Sequence, residues 1–255
     1  MQNRVEFRVW GRYALFTDPL TKIGGEKYSY QIPTYEALKG ILSSVYWKPT
    51  IIWIIDKVRV INRIKTQTRS AKPLSYSGIY PSARDLSKIK EVPFNDLSIY
   101  TYLADVEYQV QAHFEWNINR EDLTQDRNEN KHYFVAKRMI ERGGRRDIFL
   151  GTRECQGYIE ECRFNEGAGE YDGYGELAFG LMFHGFDYPD EVKKDNFYAR
   201  FWRPKMIDGV VEFVRPDDPS VLRKFVRSMK ASPPATIGLL EDGLLEDNKE
   251  GGGVR

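Results

Sequence analysis

The order of apolar patterns along the 255 residues predicts an α+β fold. Strand-like and helix-like stretches follow each other as β-α-β, then a basic insertion, then β-α-β. This order is the ferredoxin-like plan, in which two β-α-β units share one sheet. Beyond residue 165 the chain carries short segments rich in glycine and aromatic residues, which predict a small β-rich C-terminal part.

The first β-α-β unit is predicted from three patterns near the N-terminus. Val5 to Val9 alternates apolar and charged residues, as a half-buried strand does. Thr34 can cap a helix in which apolar residues recur at helical spacing until Pro49 ends it. Ile51 to Ile55 is a continuous apolar run, which is typical of a buried strand.

Residues 62–98 are predicted to form a basic insertion without regular elements, because periodicity fails there. Between Lys57 and Lys90 the chain has nine Lys or Arg residues and one acid, Asp85. Such charge segregation is typical of a surface that binds nucleic acid, although a solvated charged face is the commoner cause of a single run. The insertion therefore favours an RNA or DNA partner.

The second β-α-β unit follows the insertion. Strict alternation from Val106 to Trp116 predicts a strand, and Asn128 to Arg142 has the spacing of an amphipathic helix. Gly143 stands where a C-cap glycine ends a helix. Residues 147–150 and 157–160 are strand candidates. We therefore predict a ferredoxin-like domain in residues 1–164, a small β-rich domain in 165–230 and an acidic, disordered tail in 231–255.

Composition limits the possible classes of function. The formal net charge is +1 and 41% of the residues are hydrophobic, as in an ordinary globular protein. The two cysteines, Cys155 and Cys162, and three histidines are too few for a standard four-ligand zinc site without carboxylates, so no metal is predicted. The glycine pairs at 24–25 and 143–144 match no nucleotide-binding fingerprint, so no cofactor is predicted.

The absence of an apolar leader and of any 18-residue apolar run predicts a cytoplasmic protein without membrane contact.

A histidine beside a lysine stands at the predicted start of the second helix. From residue 131 to residue 146 the chain holds six Lys or Arg residues against a single glutamate. His132 can move a proton near neutral pH, and Lys131 can neutralise a phosphate that gains charge as it is attacked. The pair indicates phosphodiester chemistry; the alternative is a solvated basic helix whose histidine only caps or packs. The other histidines, His113 and His184, are interpreted as a surface side chain and a turn residue.

Longer motifs surround this pair and extend over much of the chain. They are Tyr13–Lys27, Pro33–Tyr35, Ala37–Gly40, Tyr46–Thr50, Gln111–Phe114, Asp126–Glu129, Lys131–Tyr133, Gly143–Gly151, Arg153–Gln156, His184–Phe186 and Tyr188–Pro189. Together they resemble the RAMP proteins of the fifth CRISPR-associated (Cas) family, in the form found in type I-C systems. The resemblance runs from the N-terminus to about Pro216 and implies an RRM-like RAMP domain.

The resemblance implies a metal-independent endoribonuclease that cleaves precursor CRISPR RNA within the repeat. It also implies that the protein keeps the 5′ handle as a subunit of the type I-C surveillance (Cascade) complex. The family's catalytic trio falls on Tyr46, Lys131 and His132. RNA supplies its own nucleophile, the 2′-hydroxyl, so His132 can serve as acid or base while Lys131 stabilises the non-bridging oxygens. Tyr46 either transfers the other proton or orients the 2′-hydroxyl.

The predicted partners are nucleic acid and protein. They are precursor and mature CRISPR RNA, through the repeat hairpin and the 5′ handle, the backbone and large subunits of the effector complex, and target DNA contacted through that complex. The side chains predicted to bind RNA are Lys22, Lys48, Arg63, Lys65, Arg69, Arg127, Lys137, Arg138, Arg142, Arg145 and Arg146.

Two alternatives to the nuclease stay open at the level of sequence. The first is a non-catalytic subunit of the same complex, which binds the 5′ handle and caps a protein filament. The second is a nonspecific DNA-binding protein, since the same basic segments would serve it. The trio favours the enzyme, because a subunit that only binds has no need of it.

Overall fold

The structure of the protein, a computed structural model, describes residues 3–19, 26–72, 97–192 and 195–231. It has an α+β fold rich in strands, as the sequence predicts. The strands are β1 (Arg4–Ala14), β2 (Lys27–Tyr28), β3 (Ile51–Val60), β4 (Thr66–Ala71), β5 (Ser98–Trp116), β6 (Ile148–Phe149), β7 (Gln156–Glu161), β8 (Glu176–Ala178), β9 (Met182–Asp187), β10 (Asn196–Trp202), β11 (Lys205–Ile207), β12 (Val210–Glu212) and β13 (Leu222–Ser228). The helices are α1 (Tyr35–Val45), α2 (Glu129–Glu141) and α3 (Pro189–Val192), with a 3₁₀ helix at Glu121–Asp126.

Ten of the described strands form one sheet, in the order β6-β7-β1-β5-β3-β12-β11-β8, with β2 and β4 beside β5. The strands of the two β-α-β units stand in the order β7-β1-β5-β3, and every neighbouring pair is antiparallel. Alternation along β1 buries Val5, Phe7 and Val9 on the face where α2 packs. Arg8 and Trp10 therefore lie on the opposite face of the sheet.

Both long helices begin within one residue of their predicted starts; α2 also ends within one residue of its prediction, whereas α1 ends at Val45, before Pro49. The Thr34 side chain caps α1 by accepting a hydrogen bond from a backbone N–H of the first turn, at 3.2 Å. Tyr46 ends α1 in an extended conformation, so the chain turns directly towards β3. Asn128 caps α2 by accepting from the backbone N–H of Lys131, at 3.0 Å. Gly143 follows α2 with φ +80°, a conformation that glycine adopts without strain.

The predicted absence of regular elements in residues 62–98 is wrong at both ends of that segment. β4 pairs with the first part of β5, which begins at Ser98 and is 19 residues long. β4 has almost no buried side chains, so its sequence lacks the apolar alternation by which strands are recognised. Residues 73–96 of the insertion and 232–255 of the predicted tail lie outside the described residues.

The strands after residue 165 are divided between two sheets. β12 pairs with β3, so β8, β11 and β12 extend the large sheet. β13, β10 and β9 form a second sheet, which contacts α1 through a ring stack of His184 on Tyr35, with centroids 4.3 Å apart. Separate domains in residues 1–164 and 165–230 stay a prediction. Within the described ranges, no helix is long and apolar enough to cross a membrane.

Candidate active site

Tyr46, Lys131 and His132 converge at one end of the large sheet. Tyr46 is the residue that ends α1, and the other two belong to the first turn of α2. The Tyr46 hydroxyl lies 2.7 Å from Nδ1 of His132, although 86 residues separate them in the chain. The Tyr46 backbone oxygen accepts a hydrogen bond from the Trp53 indole at 2.8 Å, which fixes the end of α1 against β3.

The His132 ring is fully enclosed, with no exposed surface. Its Nε2 lies 2.7 Å from the backbone oxygen of Asp126. Because a carbonyl oxygen only accepts, Nε2 carries the hydrogen, and Nδ1 of the neutral ring accepts from the Tyr46 hydroxyl. Phe114 and Trp116 enclose the ring, with centroids 6.0 Å and 5.6 Å away. His132 can therefore exchange a proton with a substrate only through a neighbour.

Asp126, a residue to which the sequence patterns assign no role, joins the parts of this site. Its carboxylate accepts a hydrogen bond from the Thr50 hydroxyl at 2.8 Å and pairs with the Lys131 ammonium at 2.5 Å. Its Oδ2 also lies 3.5 Å from Nε2 of His132. The hydrogen bond from Lys131 holds the pKa of the Asp126 carboxyl below its usual value. The sequence signal that could have indicated this residue is an acid five residues before a lysine at the start of a helix. Such a contact lies in a loop, where hydrophobic periodicity does not predict which side chains meet.

Tyr46 and Lys131 form the accessible side of the arrangement. Tyr46 keeps 6% of its surface exposed, and the Lys131 side chain keeps 54%. Burial, and secondarily the negative charge of Asp126, raises the pKa of the Tyr46 phenol. The phenol is therefore protonated at neutral pH and remains a donor to His132. Trp47 and Lys48, the next two residues, are exposed.

The predicted RNA-binding side chains fall into four groups. Lys22 lies outside the described residues. Two more are engaged within the protein: Arg127 donates to the backbone oxygens of Asn117 and Arg120, and Lys137 pairs with Glu161 at 3.0 Å. Arg69 is exposed and lies over the Tyr13 ring, 4.5 Å from its centroid. The remainder are exposed and make no ion pair with another described residue; they are Lys48, Arg63, Lys65, Arg138, Arg142, Arg145 and Arg146.

Apart from Lys48, which stands two residues after Tyr46, these cations are not gathered around the trio. β3 starts near Tyr46 and runs for ten residues, roughly 30 Å, before the chain reaches Arg63. Arg63, Lys65 and Arg69 therefore lie at the far end of the sheet. The cations of α2 instead extend from Lys131 along the helix towards Arg145. The basic surface is therefore elongated along α2 and is not concentrated at the trio.

The other two histidines differ from their interpretation as a surface side chain and a turn residue. His113 is 6% exposed, with Nδ1 3.0 Å from the Asp56 carboxylate, and this hydrogen bond raises its pKa. His184 lies inside β9 and is fully buried, which lowers its pKa to about 3. In the part of the chain that the structure describes, no three His, Cys, Asp or Glu side chains are grouped to hold a metal ion.

Comparison with known proteins identifies relatives along most of the chain. The family model of the CRISPR-associated Cas5d proteins (Cas_Cas5) matches residues 5–214. The CRISPR pre-crRNA endoribonuclease Cas5d of Mannheimia succiniciproducens is 34% identical over 152 residues, which are 56% of this chain and 65% of that protein. The enzyme of the same name from Thermus thermophilus is 36% identical over 58 residues, 23% of this chain and 24% of that protein. Both alignments span less than two thirds of the relative's length.

Solved structures show the same likeness. One described as the crystal structure of a CRISPR-associated protein has 34% sequence identity and a TM-score of 0.66. The superposition covers 86% of this chain and 96% of that one. The family model and this superposition each cover most of the chain.

Proposed function

This chain belongs to the Cas5d family of CRISPR-associated proteins, and we propose that it is an endoribonuclease that cleaves precursor CRISPR RNA within the repeat. Two relatives named as pre-crRNA endoribonucleases support the activity. The observation that carries the proposal for this chain is the contact of Tyr46 with His132, beside the exposed ammonium of Lys131. That set supplies the two things that RNA cleavage requires, a path for a proton and a positive charge at the phosphate.

The cleavage step uses the 2′-hydroxyl of the nucleotide before the cut. The 2′-oxygen attacks phosphorus and gives its proton to the Tyr46 oxygen, while the Tyr46 proton passes to Nδ1 of His132. The bond from phosphorus to the 5′-oxygen breaks, and the departing oxygen takes a proton from water; the hydroxide that remains is neutralised when His132 returns its proton through Tyr46. The products are a 2′,3′-cyclic phosphate and a 5′-hydroxyl. In this scheme Tyr46 touches the substrate, and His132 receives the proton behind it.

Lys131 and Asp126 complete the proposed chemistry. The Lys131 ammonium faces solvent and stabilises the charge that grows on the non-bridging oxygens. Asp126 orients this ammonium and, through its backbone oxygen, fixes the His132 tautomer that can accept a proton from Tyr46. Asp126 is thus a positioning residue, because its carboxylate acts through Lys131.

Binding and assembly complete the proposed function. We propose that the protein stays on the 5′ handle within a type I-C surveillance complex, in contact with its backbone and large subunits and, through the complex, with target DNA. Unpaired cations on α2 and near β4 support an RNA path across the molecule. The order β7-β1-β5-β3 with two crossing helices supports assignment of the ferredoxin-like plan to this part of the sheet.

The test is incubation of the purified protein with the repeat RNA of its own CRISPR locus in EDTA. We expect cleavage to persist and to give a 5′-hydroxyl and a 2′,3′-cyclic phosphate, because the nucleophile belongs to the RNA. A 2′-deoxy substitution before the cut should abolish it. Loss of activity on chelation, or cutting of the deoxy substrate at the normal rate, contradicts the proposal.

One observation favours a second candidate, the non-catalytic subunit that only binds the handle. His132 is fully buried and both ring nitrogens have partners inside the protein, as in a histidine that only supports the fold. Under that reading the protein binds repeat RNA tightly and leaves it uncut. The EDTA experiment separates the two candidates when binding is measured on the same samples.

A further inference from the structure

A pocket opens on the face of the sheet opposite to α2. Its lining comes from β1, β7 and the Gly143–Asp147 loop, and its volume is about 410 Å³. Gly143 and Gly144 have φ of +80° and +103°, so this part of the wall is bare backbone in a conformation that side chains rarely allow. The pocket is separate from the Tyr46 centre, which lies at the other end of α2.

Two aromatic rings form the floor of the pocket. Trp10 and Tyr158 are directly opposite each other on antiparallel strands, with ring centroids 5.8 Å apart and planes inclined by 32°. Tyr158 is 53% exposed. The Arg8 guanidinium covers Trp10 at 4.7 Å and is itself held by Glu107 and Glu160. Trp10 is therefore fixed from one side, while the Tyr158 ring presents a free surface.

The rim of the pocket is positively charged. Arg145 and Arg146 are exposed, and neither forms an ion pair within the described ranges. Asp147 is the one acidic side chain among the lining residues. Two unpaired guanidinium groups beside an exposed ring suit a ligand that combines a flat surface with negative charge.

The exposed face of α2 runs from the Tyr46 centre towards the Gly143–Asp147 loop, which lines this pocket. Lys131, Phe134, Arg138 and Arg142 recur at spacings of three and four residues, so they share one face. Phe134 is 62% exposed, which places an aromatic ring between the cations. Thirteen helical residues make this path about 20 Å long.

We infer that the pocket holds an unpaired nucleobase of RNA, stacked on Tyr158, with its flanking phosphates on Arg145 and Arg146. The inference rests on the proposed function and adds a binding subsite about 20 Å from the cleavage centre. Aromatic rings interleaved with cations are the recurrent platform for single-stranded nucleic acid, because every base has a flat face. The competing reading of the ring pair is a cross-strand contact that only stabilises the sheet.

The test measures binding of repeat RNA that carries a single 2′-deoxy residue at the cut, so that cleavage does not interfere. Tyr158→Ala should weaken affinity at least about 5-fold, the lower end of what loss of one base stack produces. Tyr158→Phe keeps the ring and should stay within about two-fold of wild type. The double variant Arg145→Gln, Arg146→Gln should lower affinity and reduce the salt slope by about 0.7 for each lost phosphate contact. When 4-thiouridine is placed at successive positions of the RNA, one position should crosslink to this pocket.

Matched controls are available elsewhere on the surface. Phe225 on β13 is 53% exposed and pairs with the Tyr198 ring at 5.8 Å, as Tyr158 does with Trp10, and Arg203 is exposed, so Phe225→Ala and Arg203→Gln test the loss of an exposed ring or charge as such. Equal weakening by Tyr158→Ala and Phe225→Ala, or no effect of either with no crosslink, overturns the subsite. The subsite is also overturned if Tyr158→Ala has an effect only when the protein is assembled with other protein subunits. Absence of cutting by the wild type, with the crosslink and the Tyr158 effect retained, would refute the proposed activity and leave the subsite standing.

Discussion

The two ends of α2 carry opposite kinds of site. At the N-terminal end, His132 is fully buried and the Tyr46 hydroxyl, the Asp126 carboxylate and the Thr50 hydroxyl all have hydrogen-bond partners. At the C-terminal end, Arg145 and Tyr158 are exposed around an open pocket. Proton transfer requires groups held in fixed geometry before the substrate arrives, whereas capture of a flexible strand requires accessible rings and charges. The contrast suggests that the cleavage site and the RNA-binding subsite lie at opposite ends of α2.

The largest expected effect comes from breaking the buried end with His132→Ala. The single-turnover cleavage rate should fall at least about 10²-fold, because the proton acceptor behind Tyr46 is lost. Affinity for repeat RNA should change only a few-fold, since the ring does not reach the surface. The measurement is a single-turnover time course together with a binding titration.

A control is needed because this variant leaves the Tyr46 hydroxyl and the Asp126 backbone oxygen without their partner. An unsatisfied buried group costs about 1–3 kcal/mol, so a melting curve must show that the variant is folded. Tyr46→Phe removes only the hydroxyl and should lose cleavage while keeping the ring packing. Wild-type cleavage rates in both variants would show that the N-terminal end of α2 takes no part in the chemistry.

Much of the fold could be predicted because its signals are local. Thr34 caps α1 as expected, and α2 begins within one residue of its predicted start at Asn128, because such start signals depend on residues within one turn. The signals for β4 and for the pairing of β12 with β3 are not local. β4 is exposed and pairs with the first part of β5, from Ser98 to Leu103, where the sequence pattern predicted no strand.

The sequence named three site residues, whose catalytic role stays a prediction, but it did not give their arrangement. The family resemblance placed Tyr46, Lys131 and His132 together, and the structure brings them into one cluster. Nothing in the sequence indicated that His132 is enclosed, because enclosure depends on Phe114 and Trp116 from a distant strand. The pairing of Trp10 with Tyr158 was missed for the same reason, since strand register decides which rings meet.

A smaller effect should follow from Asp126→Asn, which keeps the shape of the site and removes one charge. The Lys131 ammonium loses its anchor, so cleavage should fall about 10-fold, which is less than loss of a proton-transfer group. The folded-state pKa of Asp126 is depressed, so its contribution to stability is present above the unfolded pKa of about 3.9 and is lost as pH falls through the folded value. Unfolding of the two proteins should therefore differ at neutral pH and converge in strong acid. A constant difference at all pH values would assign the effect to something other than the ion pair.

The smallest effect is expected at His113, a second histidine with a close polar partner but no place in either site. Its hydrogen bond to Asp56 raises its pKa, with Glu115 on the same side of the sheet. A raised folded pKa adds stability that is fully present below the unfolded value of about 6.5 and is lost as pH rises through the folded value. Wild type and His113→Gln should therefore differ most in stability near pH 5 and least in alkaline solution, while cleavage stays within about two-fold. Denaturant unfolding at several pH values, with cleavage assays on the same samples, checks both parts. A loss of cleavage comparable with that of His132→Ala would show that the chemistry is not confined to the buried end of α2, because His113 lies on β5 and contacts neither Tyr46 nor Lys131.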